Sequence, residues 1–269
     1  MNKPVEIPDA GSLRRGVLLL KLLATAGARG LALTELAAKA SIPHPTVHRV
    51  LKQLVDEGLA QHNSESRRYR LGPLAFELGV AGSTMHDIRD VCQTEMEGLA
   101  DLTGDTVYLV VRSGFEAVCM HRCEGNFPVR ALVLEVGSRR PLGVGAGGLA
   151  ILSAIGDEER HAIIQRIAPA LPAFGRLDID KLESACDEAR SLRAAVIRNK
   201  VTLGITAVGV PFCNSLGQPV GALSVAALSE RMTEQRIVTT ADNLHTAAKA
   251  VEAKLRAALR PANRLASNL

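Results

Sequence analysis

The chain has 269 residues and a formal net charge of +4, a length that suggests two domains of ordinary size or one large one. Hydrophobic residues make up 47% of the chain and charged residues 22%, as in ordinary globular proteins. No stretch reaches the roughly 18 uninterrupted apolar residues of a membrane span, and 1–11 has no apolar signal-peptide core, so the sequence excludes these two classes and predicts a cytoplasmic protein.

The positive charge is concentrated near the start of the chain. Between Ser12 and Leu71 about ten Lys and Arg stand against about four Asp and Glu, which leaves the remainder slightly acidic. A small basic segment joined to a near-neutral larger one predicts a polyanionic partner for the first part only. The five cysteines are irregularly spaced, so we expect reduced thiols and no disulfide framework.

The first predicted helix covers Leu13–Ala26 and ends at Gly27. Its apolar stripe is expected from residues three or four positions apart, namely Leu13, Val17, Leu20 and Leu23 or Ala24. A short second helix, Glu35–Ala40, is expected to follow, with Thr34 as its N-cap.

A third helix is predicted from about His44 to Glu57, after a break at 41–43. Its inward stripe consists of four residues at helical spacing, Val47, Val50, Leu51 and Leu54. Its outward face is polar and basic, and supplies the candidates for DNA contact His44, Thr46, His48, Arg49 and Lys52. Two helices joined by a tight turn, the second with a basic outer face, form the helix-turn-helix arrangement, whose second helix enters the major groove.

Two short strands, 59–62 and 68–71, are predicted after this helix, with 63–67 as the turn between them. Such a hairpin is the wing of a winged helix-turn-helix. Its arginines are expected to contact the phosphate backbone or the minor groove, which adds affinity more than sequence choice: Arg67, Arg68 and Arg70. A generic three-helix protein-interaction module is the alternative, and the order of turn, apolar stripe, glycine and Arg-rich hairpin disfavours it.

The chain resembles the IclR-type transcription regulators in several stretches. These are 12–16 (SLRRG), 33–37 (LTELA), 43–51 (PHPTVHRVL), 69–72 (YRLG), 141–143 (PLG) and 204–211 (GITAVGVP). The third is similar to that family's recognition helix. The resemblance covers nearly the whole chain and implies a winged helix-turn-helix over 1–72, a linker helix over 73–90 and an effector-binding domain over 91–269. It also implies a GAF-like or profilin-like antiparallel sheet in the last of these.

The second domain alternates strands with helices. Strand-like runs are predicted at 106–112, 116–122, 202–211 and 219–228, with 130–136 as a further apolar run. Helices are predicted at 149–155, 157–167, 180–195 and from about Thr233, and the segment 73–102 is expected to be helical with an interruption near 79–82. Strands at both ends with helices between them indicate an α+β domain with an antiparallel sheet.

The glycine-rich stretch 143–148 opens one of these helices. It lacks the ending of a P-loop and the context of a dinucleotide-binding motif, so no nucleotide is predicted. Small residues at a helix N-terminus can instead face an anionic ligand. The family resemblance implies an effector pocket here, lined by Gly145, Ala146, Ile205, Ala207 and Ser224, with Arg130 and Arg139 as carboxylate partners. Glycines that serve only close helix packing are the alternative.

The chain departs from many family members between 193 and 200. Arg193-Ala194 stand where Gly-Tyr is common in the family, and Arg198 and Lys200 stand where acidic residues are frequent. These basic residues favour an organic anion, such as a carboxylate, as the effector.

Two other kinds of chemistry have weaker support in the sequence. Cys119, His121 and Cys123 alternate by two, so a regular strand would place them on one face, where they could bind a metal ion together with Cys213. Buried core thiols are the simpler interpretation. The chain has no Gly-x-Ser-x-Gly or His-Glu-x-x-His motif, and a thiol–histidine pair is the one enzyme candidate. We therefore predict no enzyme, no metal and no cofactor.

The predicted function is that of a ligand-responsive transcription regulator. The winged helix-turn-helix binds a palindromic-type operator in double-stranded DNA, and a small organic effector in the C-terminal domain controls the output. A homodimer or a dimer of dimers is expected, with the first helix and the linker as self-association surfaces. The alternative is a redox or metabolite sensor that acts through a protein partner and not through DNA.

Overall fold

The computed structural model describes residues 11–81, 84–175, 177–199 and 201–258. They divide into two compact units, one ending at 86 and the other beginning at 87. Within these ranges no helix has the length and apolar character needed to cross a membrane.

The first unit consists of helices packed on a small antiparallel sheet. Its helices are α1 (Ser12–Ala26), α2 (Leu33–Ala40), α3 (His44–Asp56) and α4 (Pro73–Ala81), and its strands are β1 (Leu31–Ala32), β2 (Ala60–Asn63) and β3 (Arg68–Leu71). The strand order is β1-β3-β2. The predicted third helix and both strands of the wing are confirmed to within one residue at each end.

The core of this unit confirms the stripe predicted on α3 and corrects the one predicted on α1. All four α3 residues of the stripe are buried, whereas Leu13 and Val17 on α1 are 82% and 44% exposed. The buried face of α1 carries Gly16 and Leu19 together with Leu23, which the predicted stripe included. Leucines lie on more than one face of α1, so the periodicity of its sequence could not show which face is buried. Contact with α3 selects it, since Gly16 faces that helix, where a Cβ would stand 3.7 Å from Leu54 Cδ2, an ordinary packing distance.

The start of α2 also differs from the prediction. The helix begins at Leu33 with Ala32 as its N-cap, so Thr34 lies in the first turn and does not cap it. Glu35 Oε2 accepts a hydrogen bond of 2.7 Å from the backbone N–H of Ala32. The Glu35 carboxylate therefore binds the backbone N–H of the N-cap residue. This is the role that the glutamate has in a capping box, here without a capping serine or threonine.

The second unit is built on a six-stranded antiparallel sheet. Its strands are β4 (Thr106–Ser113), β5 (Glu116–Cys123), β6 (Arg139–Pro141), β7 (Ala195–Arg198), β8 (Ile205–Cys213) and β9 (Pro219–Leu228), in the order β6-β5-β4-β9-β8-β7. Its helices are α5 (Thr84–Thr103), which begins just before the unit, α6 (Gly145–Ala154), α7 (Asp157–Ile167), α8 (Ile179–Leu192) and α9 (Glu234–Ala258). The predicted α+β class with an antiparallel sheet is confirmed.

Each face of this sheet has its own hydrophobic core. Residues of α5 and α9 pack on the face that carries Val107, Leu109 and Leu223. Residues of α6, α7 and α8 pack on the opposite face, which carries Tyr108 and Val110. Because both faces are covered, β4 is buried continuously from residue 106 to 111. That explains why its sequence is an unbroken apolar run and does not alternate.

Two segments of the second half differ from the sequence predictions. Residues 130–136 form no strand and belong to an irregular segment, 124–138, here called the strap. The strand that pairs with β5 on the side away from β4 is β6, which follows the strap.

The segment predicted as a linker, 73–90, contains α4 and the start of α5. Helix α4 continues through Gly79 to Ala81, while Gly82 and Ser83, the rest of the predicted interruption, lie outside the described residues. The domain boundaries 1–72, 73–90 and 91–269 stay predictions.

Candidate DNA-binding surface and effector cavity

The outer face of α3 presents most of the residues predicted to contact DNA. His44, His48, Arg49 and Lys52 are exposed, whereas Thr46 is half-buried at the edge of the helix. The four buried apolar residues on the opposite side of α3 fix this orientation. Among the described residues neither Arg49 nor Lys52 has a carboxylate within ion-pair distance. Their charges are therefore available to an anion outside the unit.

The three wing arginines occupy different environments. Arg67 lies exposed in the turn between β2 and β3, with a φ of 54°. Arg70 is exposed and its Nε donates to Gln61 Oε1. Arg68 is turned inward, where its Nη2 donates to Glu35 Oε2 at 2.8 Å and its Nε donates to the Gly30 carbonyl at 3.2 Å.

Arg68 therefore attaches the wing to α2. The backbone hydrogen bond from Ala32 lowers the pKa of Glu35, and the charge of Arg68 lowers it further. Because the Glu35 carboxylate neutralises Arg68, we expect this arginine to attract a phosphate only weakly. Arg67 and Arg70 are the two wing residues whose position suits a DNA contact.

The second unit contains a cavity between the sheet and the N-terminus of α6. The five lining residues predicted from the sequence, Gly145, Ala146, Ile205, Ala207 and Ser224, all border it. The empty space, including its open mouth, amounts to about 620 Å³.

Close packing of α6 on the sheet shapes one end of this cavity. A Cβ on Gly209 would stand 2.5 Å from the Ala146 carbonyl oxygen, and a Cβ on Gly147 would stand 2.9 Å from Val110 Cγ2. The N-cap of α6, Val144, offers no side-chain acceptor to the first N–H groups of the helix. The glycines thus serve close packing, and they also leave a helix N-terminus facing the cavity, a position that favours an anion.

The two arginines predicted as carboxylate partners do not border the cavity. Arg130 is 55% exposed and its Nη1 lies 2.6 Å from Glu124 Oε2. The Nε of Arg139 lies 3.0 Å from Glu116 Oε2, and its Nη2 donates to Ser113 Oγ at 2.8 Å. Both arginines are paired with carboxylates away from the cavity wall. These contacts give no support to the predicted role, which stays a prediction.

Arg140 borders the cavity in their place. On β6, Arg140 pairs with Ala117 and Arg139 pairs with Val118, and neighbouring residues of a strand point to opposite faces. Ala117 belongs to the core on the cavity side and Val118 to the other core. The sequence analysis missed Arg140 because it did not predict β6, whose register with β5 is the signal that would have found it.

Tyr108 and Arg140 hold the strap against the cavity. The Tyr108 hydroxyl donates to the Ala131 carbonyl at 2.6 Å and accepts from the Val133 N–H at 2.9 Å. Arg140 Nη2 donates to the Val133 carbonyl at 2.9 Å. Burial raises the pKa of Tyr108 and lowers the pKa of Arg140. Within the described part of the chain Arg140 has no carboxylate partner.

The other basic residues of the segment 193–200 supply no unpaired charge to the cavity wall within the described residues. Arg198 Nη2 lies 2.9 Å from Glu234 Oε2, so a carboxylate of α9 neutralises it. Arg193 is exposed at the C-terminal end of α8. Lys200 lies outside the described residues.

The structure separates the three residues considered as metal ligands. A β-bulge interrupts the pairing of β4 with β5, so that Leu109 faces His121 and Val110 faces Cys119. Cys119 therefore lies on the cavity side of the sheet, while Cys123 packs on the opposite core. The expected alternation fails because the bulge inserts one extra residue. His121 has a pKa lowered by burial, and burial raises the pKa of Cys119 to about 11.

Family models match most of the chain. One described as the IclR helix-turn-helix domain matches residues 12–64, and one described as the C-terminal region of the bacterial transcriptional regulator IclR matches residues 81–253. The chain belongs to the IclR family of transcriptional regulators. The units described above correspond to the DNA-binding and C-terminal regions of that family.

Relatives with assigned roles are also regulators. The HTH-type transcriptional repressor AllR of Escherichia coli K12 is 27% identical over 258 residues, which cover 94% of this chain and 93% of AllR. The HTH-type transcriptional regulator KipR of Bacillus subtilis is 29% identical over 226 residues, which cover 84% of this chain and 90% of KipR.

Solved structures share the fold. An IclR transcriptional regulator from Alicyclobacillus acidocaldarius aligns with a TM-score of 0.73 and 24% identity, covering 92% of this chain and 99% of that one. An IclR homologue from Microbacterium hydrocarbonoxydans, solved in complex with 4-hydroxybenzoate, aligns with a TM-score of 0.70 and 24% identity, covering 92% of this chain and all 100% of that one.

Proposed function

We propose that this IclR-family chain is a cytoplasmic, ligand-responsive regulator that binds a palindromic-type operator in double-stranded DNA. A small organic anion bound in the cavity of the second unit controls its output, and the chain catalyses no reaction. The observation that carries the DNA-binding part is the exposed face of α3, whose cations Arg49 and Lys52 lack carboxylate partners in the described residues.

The arrangement of the first unit supports major-groove binding. The buried stripe of α3 holds the helix on α1 and α2, and leaves its outer face, from His44 to Lys52, without a covering element in that unit. A recognition helix enters the groove with its N-terminal residues toward the bases, which places His44 and His48 near base edges. Arg67 and Arg70 then lie on the wing, where they suit phosphates or the minor groove.

The cavity supports control by an organic anion. The N-terminus of α6 and Arg140 both border it, and each favours negative charge. The homologue from Microbacterium hydrocarbonoxydans was solved with 4-hydroxybenzoate, a small organic molecule that ionises as a carboxylate.

Two exposed apolar surfaces in the first unit support the proposal of self-association. Leu13 and Val17 lie exposed on α1, and Phe76 and Leu78 are 69% and 56% exposed on α4. These are the two elements that the sequence analysis assigned to self-association. A homodimer, or a dimer of dimers, would cover them and would present two α3 helices to paired half-sites.

A fluorescence-anisotropy titration of the full chain tests the DNA-binding proposal. Labelled genomic fragments, including the one upstream of the chain's own gene, are compared at two salt concentrations. We expect saturable binding that prefers one fragment and weakens steeply with salt, because phosphate contacts release counterions. Equal, salt-independent binding to every fragment would reject the proposal and favour a sensor that acts through a protein partner.

A further inference from the structure

The cavity wall contains one half-buried charge that no carboxylate among the described residues neutralises. Arg140 is the only charged side chain among the described residues that border it. Its one hydrogen bond in the described structure goes to a neutral carbonyl, that of Val133. A guanidinium that is partly removed from water without a carboxylate partner carries a desolvation cost, and a bound anion would offset part of that cost.

A second polar group in the same wall also lacks a partner. Ser138 Oγ is buried and makes no hydrogen bond within the described structure. Ser138 borders the cavity, and it precedes Arg140 by two positions at the start of β6. Buried hydroxyls are normally paired, so an orphaned one beside a ligand cavity indicates a missing acceptor.

We propose that Arg140 and Ser138 bind the single carboxylate of an effector whose remaining body is apolar. This proposal rests on the proposed function and deepens it, because it names the recognising residues and the charge of the ligand. One carboxylate oxygen accepts from the guanidinium of Arg140 and the other accepts from the hydroxyl of Ser138, and the group also faces the open N-terminus of α6.

The rest of the cavity wall excludes a second charge on the ligand. It is mainly aliphatic, with side chains that include Val110, Val133, Leu134, Val144, Ile197 and Ile205. Tyr108 cannot help, because its hydroxyl already donates to Ala131 and accepts from Val133. The remaining polar side chains of the wall, among them Thr202 and Ser224, carry no charge, so a second carboxylate would be buried without a cation to neutralise it.

Isothermal titration of the full chain tests this inference with three classes of probe. The probes are two apolar monocarboxylates, benzoate and hexanoate, their neutral amides, benzamide and hexanamide, and two dicarboxylates, terephthalate and adipate. We expect at least one monocarboxylate to bind about ten-fold or more tightly than its amide and its dicarboxylate, because a hydrogen bond to a charged group contributes strongly in a buried site.

Substitutions then identify the residues responsible. Arg140→Gln should abolish the preference for the acid over the amide, and Arg140→Lys should keep part of it. Ser138→Ala should weaken binding of the acid several-fold and leave binding of the amide unchanged. Arg139→Gln is the matched control, since Arg139 lies one position away and outside the cavity wall. Thermal unfolding of each variant checks that it is folded.

The outcomes separate this inference from the proposed function. An acid preference that survives Arg140→Gln, or a dicarboxylate that binds as tightly as its monocarboxylate, would overturn the inference. If the chain binds its operator but neither monocarboxylate, the ligand class is wrong and the DNA-binding proposal still stands. If the chain binds no DNA, the proposed function fails whatever the cavity accepts.

Discussion

The arginines of the two units differ in what they are paired with. In the second unit many are held by carboxylates, as Arg112 is by Glu159, Arg122 by Glu124 and Arg198 by Glu234. In the first unit Arg49 on α3 and Arg67 on the wing are exposed, and no carboxylate among the described residues lies within ion-pair distance of either. Counting charges along the sequence does not reveal this difference, because a paired arginine and an unpaired one count equally.

Pairing, and not the basic stretch as such, therefore decides which cations remain available to an anion. Each unit has an exception that sharpens the rule. Arg68 in the first unit is paired with Glu35 and attaches the wing to α2. Arg140 in the second unit is unpaired among the described residues and borders the cavity. A long polyanion then suits the outer face of α3, and a small anion suits the cavity.

The largest expected effect concerns the packing that shapes the cavity. Gly209→Ala would place a Cβ 2.5 Å from the Ala146 carbonyl oxygen and force α6 away from the sheet. We expect a loss of about 1–3 kcal/mol in the free energy of unfolding. Urea denaturation followed by circular dichroism measures it. Gly98→Ala on α5 is the control, since a Cβ there would have no atom of another element within 4 Å; equal stability of the two variants would refute the close approach.

The next effect tests an unpaired cation of the first unit. Arg49→Ala should weaken operator binding by about 1–3 kcal/mol if the side chain reads a base edge. Anisotropy titration on the preferred fragment measures this loss. Arg166→Ala removes the same charge from an exposed position on α7 and should leave affinity unchanged. Similar losses from both variants would mean that DNA binding depends on net charge alone, and would contradict a specific role for the unpaired Arg49.

A third prediction concerns the hydroxyl that holds the strap. Tyr108→Phe leaves the Ala131 carbonyl and the Val133 N–H without their partner, which should cost about 1–2 kcal/mol of stability. Amide hydrogen exchange should rise along 130–134. Tyr69→Phe is the control, because the hydroxyl of Tyr69 makes no hydrogen bond within the described residues. Unchanged exchange in Tyr108→Phe would show that the strap is held by other contacts.

A fourth prediction separates the two neighbouring wing arginines. Arg67→Ala should reduce the slope of log affinity against log salt concentration by about one, as the loss of a phosphate contact does. Arg68→Ala should leave that slope unchanged and lower the thermal stability of the first unit, because its guanidinium is bound to Glu35 and Gly30. The opposite pattern would reassign the phosphate contact to Arg68.

The smallest effect is a pH dependence at the start of α2. The hydrogen bond from Ala32 and the charge of Arg68 lower the pKa of Glu35 below its ordinary value of 4.5. Ionised Glu35 therefore stabilises the fold above pH 4.5, and this contribution is lost as the pH falls through the lowered pKa. Thermal melts of the wild type and Glu35→Gln should diverge above that value and converge in acid. Parallel melting curves at every pH would contradict it.

Sequence reasoning succeeded where local signals agreed with one another. The apolar stripe of α3, the break before it and the glycine after it all specify the same helix, and the wing follows at the expected spacing. The five small or apolar residues predicted to line the effector pocket do border the cavity, although their selection depended on family resemblance.

It failed where two elements had to be placed against each other. Packing against α3 decided which face of α1 is buried. The bulge in β5 placed Cys119 and Cys123 on opposite faces of the sheet. The choice of Arg139 over Arg140 needed the register of β6, a strand of three residues with little signal of its own. A shift of one residue in a strand exchanges the two faces, so no local pattern could decide which arginine borders the cavity.

The sequence by itself determined the class of protein, the recognition helix with its outer face, and the antiparallel second domain, because helical periodicity, turn residues and apolar runs are local properties. Only the tertiary structure decided which charges are neutralised. Pairing of Arg68 with Glu35, and of Arg139 with Glu116, joins residues 33 and 23 positions apart. Such contacts depend on how distant elements pack, and they leave Arg140 as the cation available inside the cavity.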